Sequence, residues 1–400
     1  MNRILVLSTY SIKNPTGGGQ KRVAAIVQQY RAAGNNVEHA AIYLDTANTG
    51  ADQNDMAVPW TKYNKNPLAY VIGDLLLSDS LDEESDVRTK FIALIKDFKP
   101  TVVQIEQTFL YKTVKNVLDD LGWSGVMVNS THNIESLLKK DILESSTNLD
   151  DAEINTYVSA IDDIEKFAAR DADFTIACTE SDSKELKRFG AKDVVVAPNG
   201  ISLGKVNKED AAKVKDTYKK KGVDKLILYV GSAHPPNLTG YAELIGGKVG
   251  FMGENTRLLA VGGVSSLIFD YTQTLPNYIR PIFNERVELL GMVSEQRLAS
   301  LLYLADQIIL PITEGGGSNL KTAEAILSDT SIVATTKSFR SYESYLSLPN
   351  IIIADNGEDF RKAMADSLSQ PKKARTDKQK QLASGVEWSN TLKKMVERLA

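Results

Sequence analysis

The residues best suited to chemistry lie between Pro311 and Thr336, PITEGGGSNLKTAEAILSDTSIVATT. Three glycines, Gly315, Gly316 and Gly317, precede Ser318 and Asn319, and either of the latter can cap a helix with its side-chain oxygen. Lys321 and Glu324 follow, three apart and so neighbours on one helix face, while Leu320, Ala323 and Leu327 make an apolar stripe for the core. Glycines let a ligand approach the backbone, and a helix N-terminus offers N–H groups carrying partial positive charge. Lys321 adds a full charge, and Glu324 is placed to accept hydroxyls. A phosphate bearing a sugar fits that arrangement. Two further clusters stand apart from it. Gly17-Gly18-Gly19 leads into Gln20, Lys21 and Arg22, a second phosphate-friendly turn, although glycines also serve simply to turn a chain. His132-Asn133-Ile134-Glu135 leaves an apolar run at Val126, and an imidazole there can donate to a sugar hydroxyl or serve as a structural hydrogen-bonder.

The elements that must hold these groups alternate between buried-type strands and helices. Arg3 to Ser8 is a continuous apolar strand, followed by a glycine loop and a helix from about Gln20 to Ala33. Further strands read at 37–44, 101–105, 126–129 and 174–178, with helices at 68–77, 87–98 and 161–170. Glu106 and Gln107 fall at the carboxyl end of the strand at 101–105, where open α/β sheets place ligand contacts. The segment from Thr46 to Ser85 is polar and irregular outside that helical piece. A second series opens with Leu226–Val230 and Gly231-Ser232, continues through 257–261 and 287–293, and reaches Gln307–Pro311 before the glycine loop. A helix from Ser294 to Ala305 has Ser294 as its cap, and Asp210 to Lys221 is a charged surface helix. The expected architecture is α/β with two Rossmann-like domains, since single cores rarely exceed about 250–300 residues.

The stretch at 311–325 resembles the nucleotide-sugar loop of family-4 glycosyltransferases of the GT-B fold. Their pattern, roughly P-x-x-x-G-x-G-S/T-x-L-K-x-x-E-A, is met in register by Pro311, Gly315, Gly317, Ser318, Leu320, Lys321, Glu324 and Ala325. The His132-Asn133-x-Glu135 cluster, the Val196-Ala197-Pro198-Asn199-Gly200-Ile201 turn, the Gly231-Ser232…Pro236-Asn237 turn and the Val287–Val293 strand are similar to other signatures of the same group. The resemblance implies two domains facing across a cleft, an acceptor-side domain at 1–203 and a nucleotide-sugar domain at 204–383. A C-terminal helix, 384–400, would cross back to the first domain. It implies transfer of a sugar from a nucleoside-diphosphate sugar to a hydroxyl of a glycan, glycoprotein or glycolipid, with retention of configuration.

Carried over residue by residue, the resemblance makes His132, Glu314 and Lys321 catalytic. Gly18, Gly19, Ser232, Asn237, Gly316, Gly317, Ser318, Asn319, Leu320, Lys321 and Glu324 would hold the donor. Gln20, Glu106, His132 and Asn133 would face the acceptor. Two departures are visible. Glu314 and Glu324 stand further apart than the family's usual acidic pair, and Ser232 and Asn237 replace a customary Arg and Lys at the diphosphate. That shifts phosphate neutralisation onto Lys321, the helix N-terminus and Arg22. A sugar-nucleotide epimerase of the same fold and a non-catalytic nucleotide-sugar-binding protein are the alternatives. A nicotinamide dehydrogenase is disfavoured, because Arg22 stands at the third glycine of the dinucleotide fingerprint.

Composition excludes several classes. The net charge of −4, from 47 basic and 51 acidic residues, gives no overall attraction to nucleic acid or anionic membrane. Apolar content of 42% and charged content of 24% are those of a globular chain, and no run of about 18 apolar residues is present to span a bilayer. The N-terminus lacks a signal-peptide pattern, and a lone cysteine, Cys178, fits a reducing cytoplasm. A lipid-linked acceptor would bring the protein to the inner face of the membrane. No cofactor or metal is expected: three histidines and one cysteine show no ligand spacing, and Asp171-Ala172-Asp173 reads as a helix end rather than a metal motif.

Overall fold

The computed structural model describes residues 1–45, 52–60, 68–314, 319–371 and 373–399. It divides into two compact units, Met1–Asn199 with Thr391–Ala400, and Gly200–Asn390.

The first unit is a parallel sheet of seven strands: β1 Arg3–Ser8, β2 Asn36–Asp45, β3 Met56–Pro59, β4 Val102–Glu106, β5 Val126–Ser130, β6 Phe174–Ala177 and β7 Val194–Val196. Their order is β3-β2-β1-β4-β5-β6-β7. Sequence order therefore reverses between β1 and β4, and the connections leaving those two strands part to opposite faces. Such a reversal opens a crevice outside the carboxyl ends of the strands. β1 pairs with both neighbours in register, Leu7 facing Ala40 on one side and Ile105 on the other, and Ile4 to Ser8 are buried. That burial on both faces explains the unbroken apolar run.

The second unit is a six-stranded parallel sheet: β8 Lys225–Val230, β9 Thr256–Val261, β10 Val287–Gly291, β11 Gln307–Leu310, β12 Ser331–Ala334 and β13 Ile351–Ile353. The order β10-β9-β8-β11-β12-β13 reverses between β8 and β11. Its two apolar layers lie on either face of that sheet, one around Leu228, Leu310 and Ile326, the other around Ile227, Ile309 and Phe360.

Helix ends follow local capping chemistry. Asp150 and Glu153 form a capping box ahead of helix Asp151–Asp171, Ser294 caps Glu295–Leu304, and Asn207 caps Lys208–Lys220. Several local expectations are corrected. The irregular segment after Thr46 contains β3, whose Met-Ala-Val-Pro run is too short to read as a strand but pairs with β2 at the sheet edge. The helix expected at 68–77 is a turn at Ala69–Ile72 and a 3₁₀ turn at Leu75–Leu77. The helix expected at 161–170 begins a full ten residues earlier at Asp151, and Glu135–Ser146 is helical too. The last segment is two short helices, Trp388–Thr391 and Lys393–Arg398. Arg398 packs its guanidinium 5.2 Å from the Phe174 ring, beside an exposed pair with Asp193 at 2.9 Å.

A buried histidine on β2 gives the first unit a pH-sensitive core. Ser8 Oγ donates its single proton to the Tyr10 carbonyl (2.7 Å), so the contact to His39 (2.8 Å) requires His39 Nε2–H to donate to Ser8. Nδ1 then faces Asp55 at 3.9 Å. The Ser–His–Asp sequence of contacts is thus a structural chain, with its hydroxyl proton spent on a carbonyl. Burial pushes the imidazole down to about 4, against the pull of Asp55, Asp52 and Glu106. The unfolded chain binds a proton that the folded one refuses, so the stability present above pH 6.5 is lost as pH falls from about 6.5 towards 4. The expected loss from this group is of order 2–3 kcal/mol. Urea midpoints at pH 7.5, 6 and 5 measure it, and His39→Gln, which keeps a donor to Ser8, is expected to flatten the decline.

Candidate functional site

Each unit gathers the singled-out residues at its own crevice. In the second unit the loop after β8 and the helix after β11 meet at the sheet's reversal. Lys321 Nζ donates to Asn237 Oδ1 (3.2 Å), and Asn237 Nδ2 donates to the Ser232 carbonyl (3.0 Å) and hydroxyl (3.1 Å). Tyr229 O–H fixes the Asn237 backbone by donating to its carbonyl at 2.7 Å. Ser232, Asn237 and Lys321 are therefore one cluster, although Lys321 lies far from the other two in sequence. Close approach of backbones makes this possible: a Cβ at Gly240, on helix Pro235–Leu244, would come within 1.9 Å of the Pro311 carbonyl oxygen, so only glycine lets that helix abut the strand-end loop.

The helix Leu320–Leu327 starts where the sequence suggests, with Asn319 Oδ1 accepting from Lys321 N (3.3 Å). Its buried face is Thr322, Ala323, Ala325 and Ile326, so the expected Leu320–Ala323–Leu327 stripe is rotated; Leu320 and Leu327 are only partly buried. The reason is polar: Thr322 Oγ1 donates to the Ser338 carbonyl (2.6 Å) and so faces inward. Burial lowers the Lys321 pKa, with Glu324 opposing. A partly desolvated ammonium beside a helix N-terminus is an anion-seeking arrangement. Glu324 is on the same helix and partly buried, and Glu314 is exposed at the end of the strand-exit loop. Gly315, Gly316, Gly317 and Ser318 lie outside the described residues.

One supporting residue gave no sequence signal. Arg375 is buried and donates to the Ile326 carbonyl (2.6 Å) and to Asn350 Oδ1 (2.9 Å), with Asp329 at 3.2 Å. It caps the far end of the Lys321 helix. Asp329 takes φ +54° there, a conformation Asp tolerates better than most residues.

In the first unit, β4 and β5 deliver a buried polar chain to the crevice beside β1. Glu106 is fully enclosed, and its Oε2 meets His132 Nε2 at 2.9 Å. Its Oε1 accepts from Gln104 Nε2 (2.5 Å), and Gln104 Oε1 accepts from Tyr30 O–H (2.7 Å). Burial raises the Glu106 pKa, but His132, Arg22 and Gln104 together outweigh it and hold the carboxyl below its ordinary value. Glu106 therefore stands behind His132 as an anion and does not itself face an acceptor, which corrects its expected role. On the other side of the ring, Tyr10 Oη lies 3.2 Å from His132 Nδ1.

Gln20 is corrected as well. Its Oε1 accepts from Thr16 N and Gly17 N (3.0 Å each), and its Nε2 donates to the Ser11 carbonyl (3.1 Å), so the amide is spent closing the loop and capping helix Gly18–Ala32. Gly18 opens that helix, and Gly19 packs beneath Tyr10 and His132. Asn133 is part-buried and donates to Glu135 Oε1 (3.3 Å). Arg22 is only 1% exposed and donates to Asn199 Oδ1 (3.1 Å), so its charge serves Glu106 rather than a bound phosphate. Buried Glu165 accepts from Glu135 N (2.6 Å) and Ser136 N (3.1 Å), capping the helix that follows His132.

The remaining chemistry-bearing residues are structural. Asp171 accepts from Tyr111 O–H (3.0 Å) and Asp173 from Met127 N (2.8 Å), while the buried Cys178 thiol is raised to about 11, chiefly by burial. Among the described residues, no group of three or more His, Cys, Asp or Glu is placed to hold a metal ion, and no helix is long and apolar enough to cross a membrane.

No protein-family model and no curated protein sequence matches the chain. Solved structures do. Sucrose-phosphate synthase from Thermosynechococcus elongatus is 14% identical with a TM-score of 0.67, covering 100% of this chain and 98% of that one. Anabaena HepE, solved in complex with UDP, is 13% identical with a TM-score of 0.64, and 99% of each chain is covered. The trehalose 6-phosphate synthase from Burkholderia multivorans is 11% identical with a TM-score of 0.61, covering 100% and 98%. The fold is GT-B, and the likeness runs the length of the chain.

Proposed function

We propose that this protein is a glycosyltransferase of the family-4 kind, moving a sugar from a nucleoside-diphosphate donor to a hydroxyl acceptor with retention of configuration. The observation that carries the reading is the Lys321–Asn237–Ser232 cluster at the crevice of the second unit, set at the N-terminus of helix Leu320–Leu327. An ammonium and the positive end of the helix dipole supply positive charge where a leaving diphosphate accumulates negative charge, and fixed groups of this kind are commonly the largest contribution to rate. Glu324, a turn further along, accepts from the ribose hydroxyls, and Glu314 lies towards the sugar. With Lys321 and the helix end as electropositive groups, the proposed reaction calls for no metal.

The His132–Glu106 pair of the first unit supplies hydroxyl chemistry on the acceptor side. Glycan, glycoprotein and glycolipid acceptors all present such a hydroxyl. One GT-B neighbour, Anabaena HepE, was solved with UDP and with UDP-glucose, which makes UDP the first donor nucleotide to test.

Thermal shift against UDP, GDP, ADP, TDP and CMP, with NAD as control, tests the donor site. A ligand that binds only the folded state at a hundredfold excess over its Kd adds about 2.7 kcal/mol. One nucleoside diphosphate is expected to raise the melting temperature and NAD is not. A response to NAD alone, or to none of the nucleotides, would sink the reading. Conversion of a nucleotide sugar without any acceptor would mark an epimerase instead.

A further inference from the structure

We propose that Tyr10 is the group that meets the acceptor hydroxyl, and that Glu106, His132 and Tyr10 act as one carboxylate–imidazole–phenol relay. The inference rests on the transferase reading and deepens it. Both ring nitrogens of His132 are engaged, Nε2 with Glu106 Oε2 at 2.9 Å and Nδ1 with Tyr10 Oη at 3.2 Å. With the ionised carboxylate accepting from Nε2–H, the neutral ring carries its lone pair on Nδ1, and the Tyr10 O–H donates to it.

The three groups grade from inside outwards. Glu106 is fully enclosed, the His132 side chain is 9% exposed, and Tyr10 is the part-exposed end of the chain. A substrate hydroxyl therefore encounters the phenol before it can reach the imidazole. Gly19 is what permits the contact. A Cβ there would come within 2.4 Å of Tyr10 Oη and 3.3 Å of His132 Nδ1. The base of the relay is held by Gln104 and Tyr30, and the Tyr10 backbone is held by Ser8 Oγ.

The charged groups around Tyr10 are Glu106 on β4, Arg22 on helix Gly18–Ala32, Glu135 at the start of helix Glu135–Ser146, and Asp74. Burial and the three carboxylates raise the phenol far above its ordinary pKa, with Arg22 opposing. A standing phenolate is thereby excluded near neutrality, so Tyr10 acts by passing one proton on as it takes another. As the acceptor O–H breaks, its proton goes to Tyr10 Oη and the Tyr10 proton goes to His132 Nδ1. The acceptor oxygen's electron pair forms the bond to the anomeric carbon on the face from which the diphosphate departs, which keeps its configuration. The bond from that carbon to the diphosphate oxygen breaks, and its pair leaves with the nucleoside diphosphate. The imidazolium rests against Glu106 and later returns its proton to solvent.

UDP release from UDP-glucose, with water as acceptor, tests the relay in Tyr10→Phe and Gly19→Ala. The first removes the hydroxyl, and the second keeps every group but pushes the phenol off the ring. Both are expected to lose about 10²-fold in kcat, the usual worth of a positioned proton-transfer group, and Tyr10→Phe to keep the wild-type KM for UDP-glucose and UDP thermal shift. Either folded variant turning over within twofold of wild type, or a loss confined to KM, overturns the relay and leaves the donor site standing. A wild type that binds UDP yet releases none from UDP-glucose in water also overturns it. Absence of any nucleotide-induced shift in the wild type fails the underlying transferase reading instead.

Discussion

Lys321→Ala is expected to cut the nucleotide-induced thermal shift by half or more while leaving the unliganded protein as stable as wild type or more so. The two halves of that result have one cause. Burial lowers the Lys321 pKa, so the folded protein without ligand bears a cost for keeping an ammonium out of water. The cost is present wherever the lysine is charged and is relieved as pH rises through the lysine range. Removing the side chain removes that cost, and Asn237 keeps its bonds to Ser232. A charged hydrogen bond to diphosphate is worth about 1.5–3 kcal/mol, which corresponds to roughly 10–100-fold in Kd. The same charge acts more strongly on the departing diphosphate, so turnover is expected to fall by about 10²–10³. Titration calorimetry with UDP and single-turnover release of nucleoside diphosphate separate the two effects. A variant that binds and turns over like wild type would remove Lys321 from the donor site.

The pattern of what was legible follows the range of the forces involved. The start of the Lys321 helix at Asn319 and the strand at Gln307–Leu310 rest on local capping and apolar runs, and they are where the sequence places them. The strand-end positions of Glu106 and His132 were equally visible, because buried parallel strands read as continuous hydrophobic runs. What those side chains do there was not visible. Glu106 and Gln20 look like ligand contacts on the page, yet one is sealed behind His132 and the other ties its own loop. Tyr10, Gln104, Tyr30 and Arg375 act through contacts with residues distant in sequence, and residue type alone carries no record of such partners. The apolar stripe of the Lys321 helix failed for a related reason. Thr322 is drawn inward by one hydrogen bond to Ser338, and that turns the buried face.

Glu106→Ala is expected to be the most damaging single change in the first unit, and Glu106→Gln to separate its two roles. The carboxylate accepts from Gln104 and from His132, and it is a counter-charge for Arg22, which is 1% exposed with Nε and Nη2 lacking hydrogen-bond partners among the described residues. Truncation strands a buried guanidinium and two donors, and removing one partner of such a set costs about 3–5 kcal/mol. The sign of the pH dependence agrees. Glu106 is held below its ordinary value of 4.5, so its contribution is present above that pH and is lost as pH falls below it. In Glu106→Ala that acid-side decline should shrink, as urea midpoints between pH 4 and 7 would record. Glutamine fills the space but brings an N–H₂ towards two donors. The conflict resolves only if His132 turns to its Nδ1–H tautomer and accepts at Nε2. Nδ1 then donates to Tyr10 and can take no proton from it. Glu106→Gln is thus expected to fold, to bind UDP, to show the reversed tautomer by ¹⁵N-histidine NMR, and to lose about 10²-fold in turnover. An unchanged tautomer with wild-type turnover would reduce Glu106 to a structural anion.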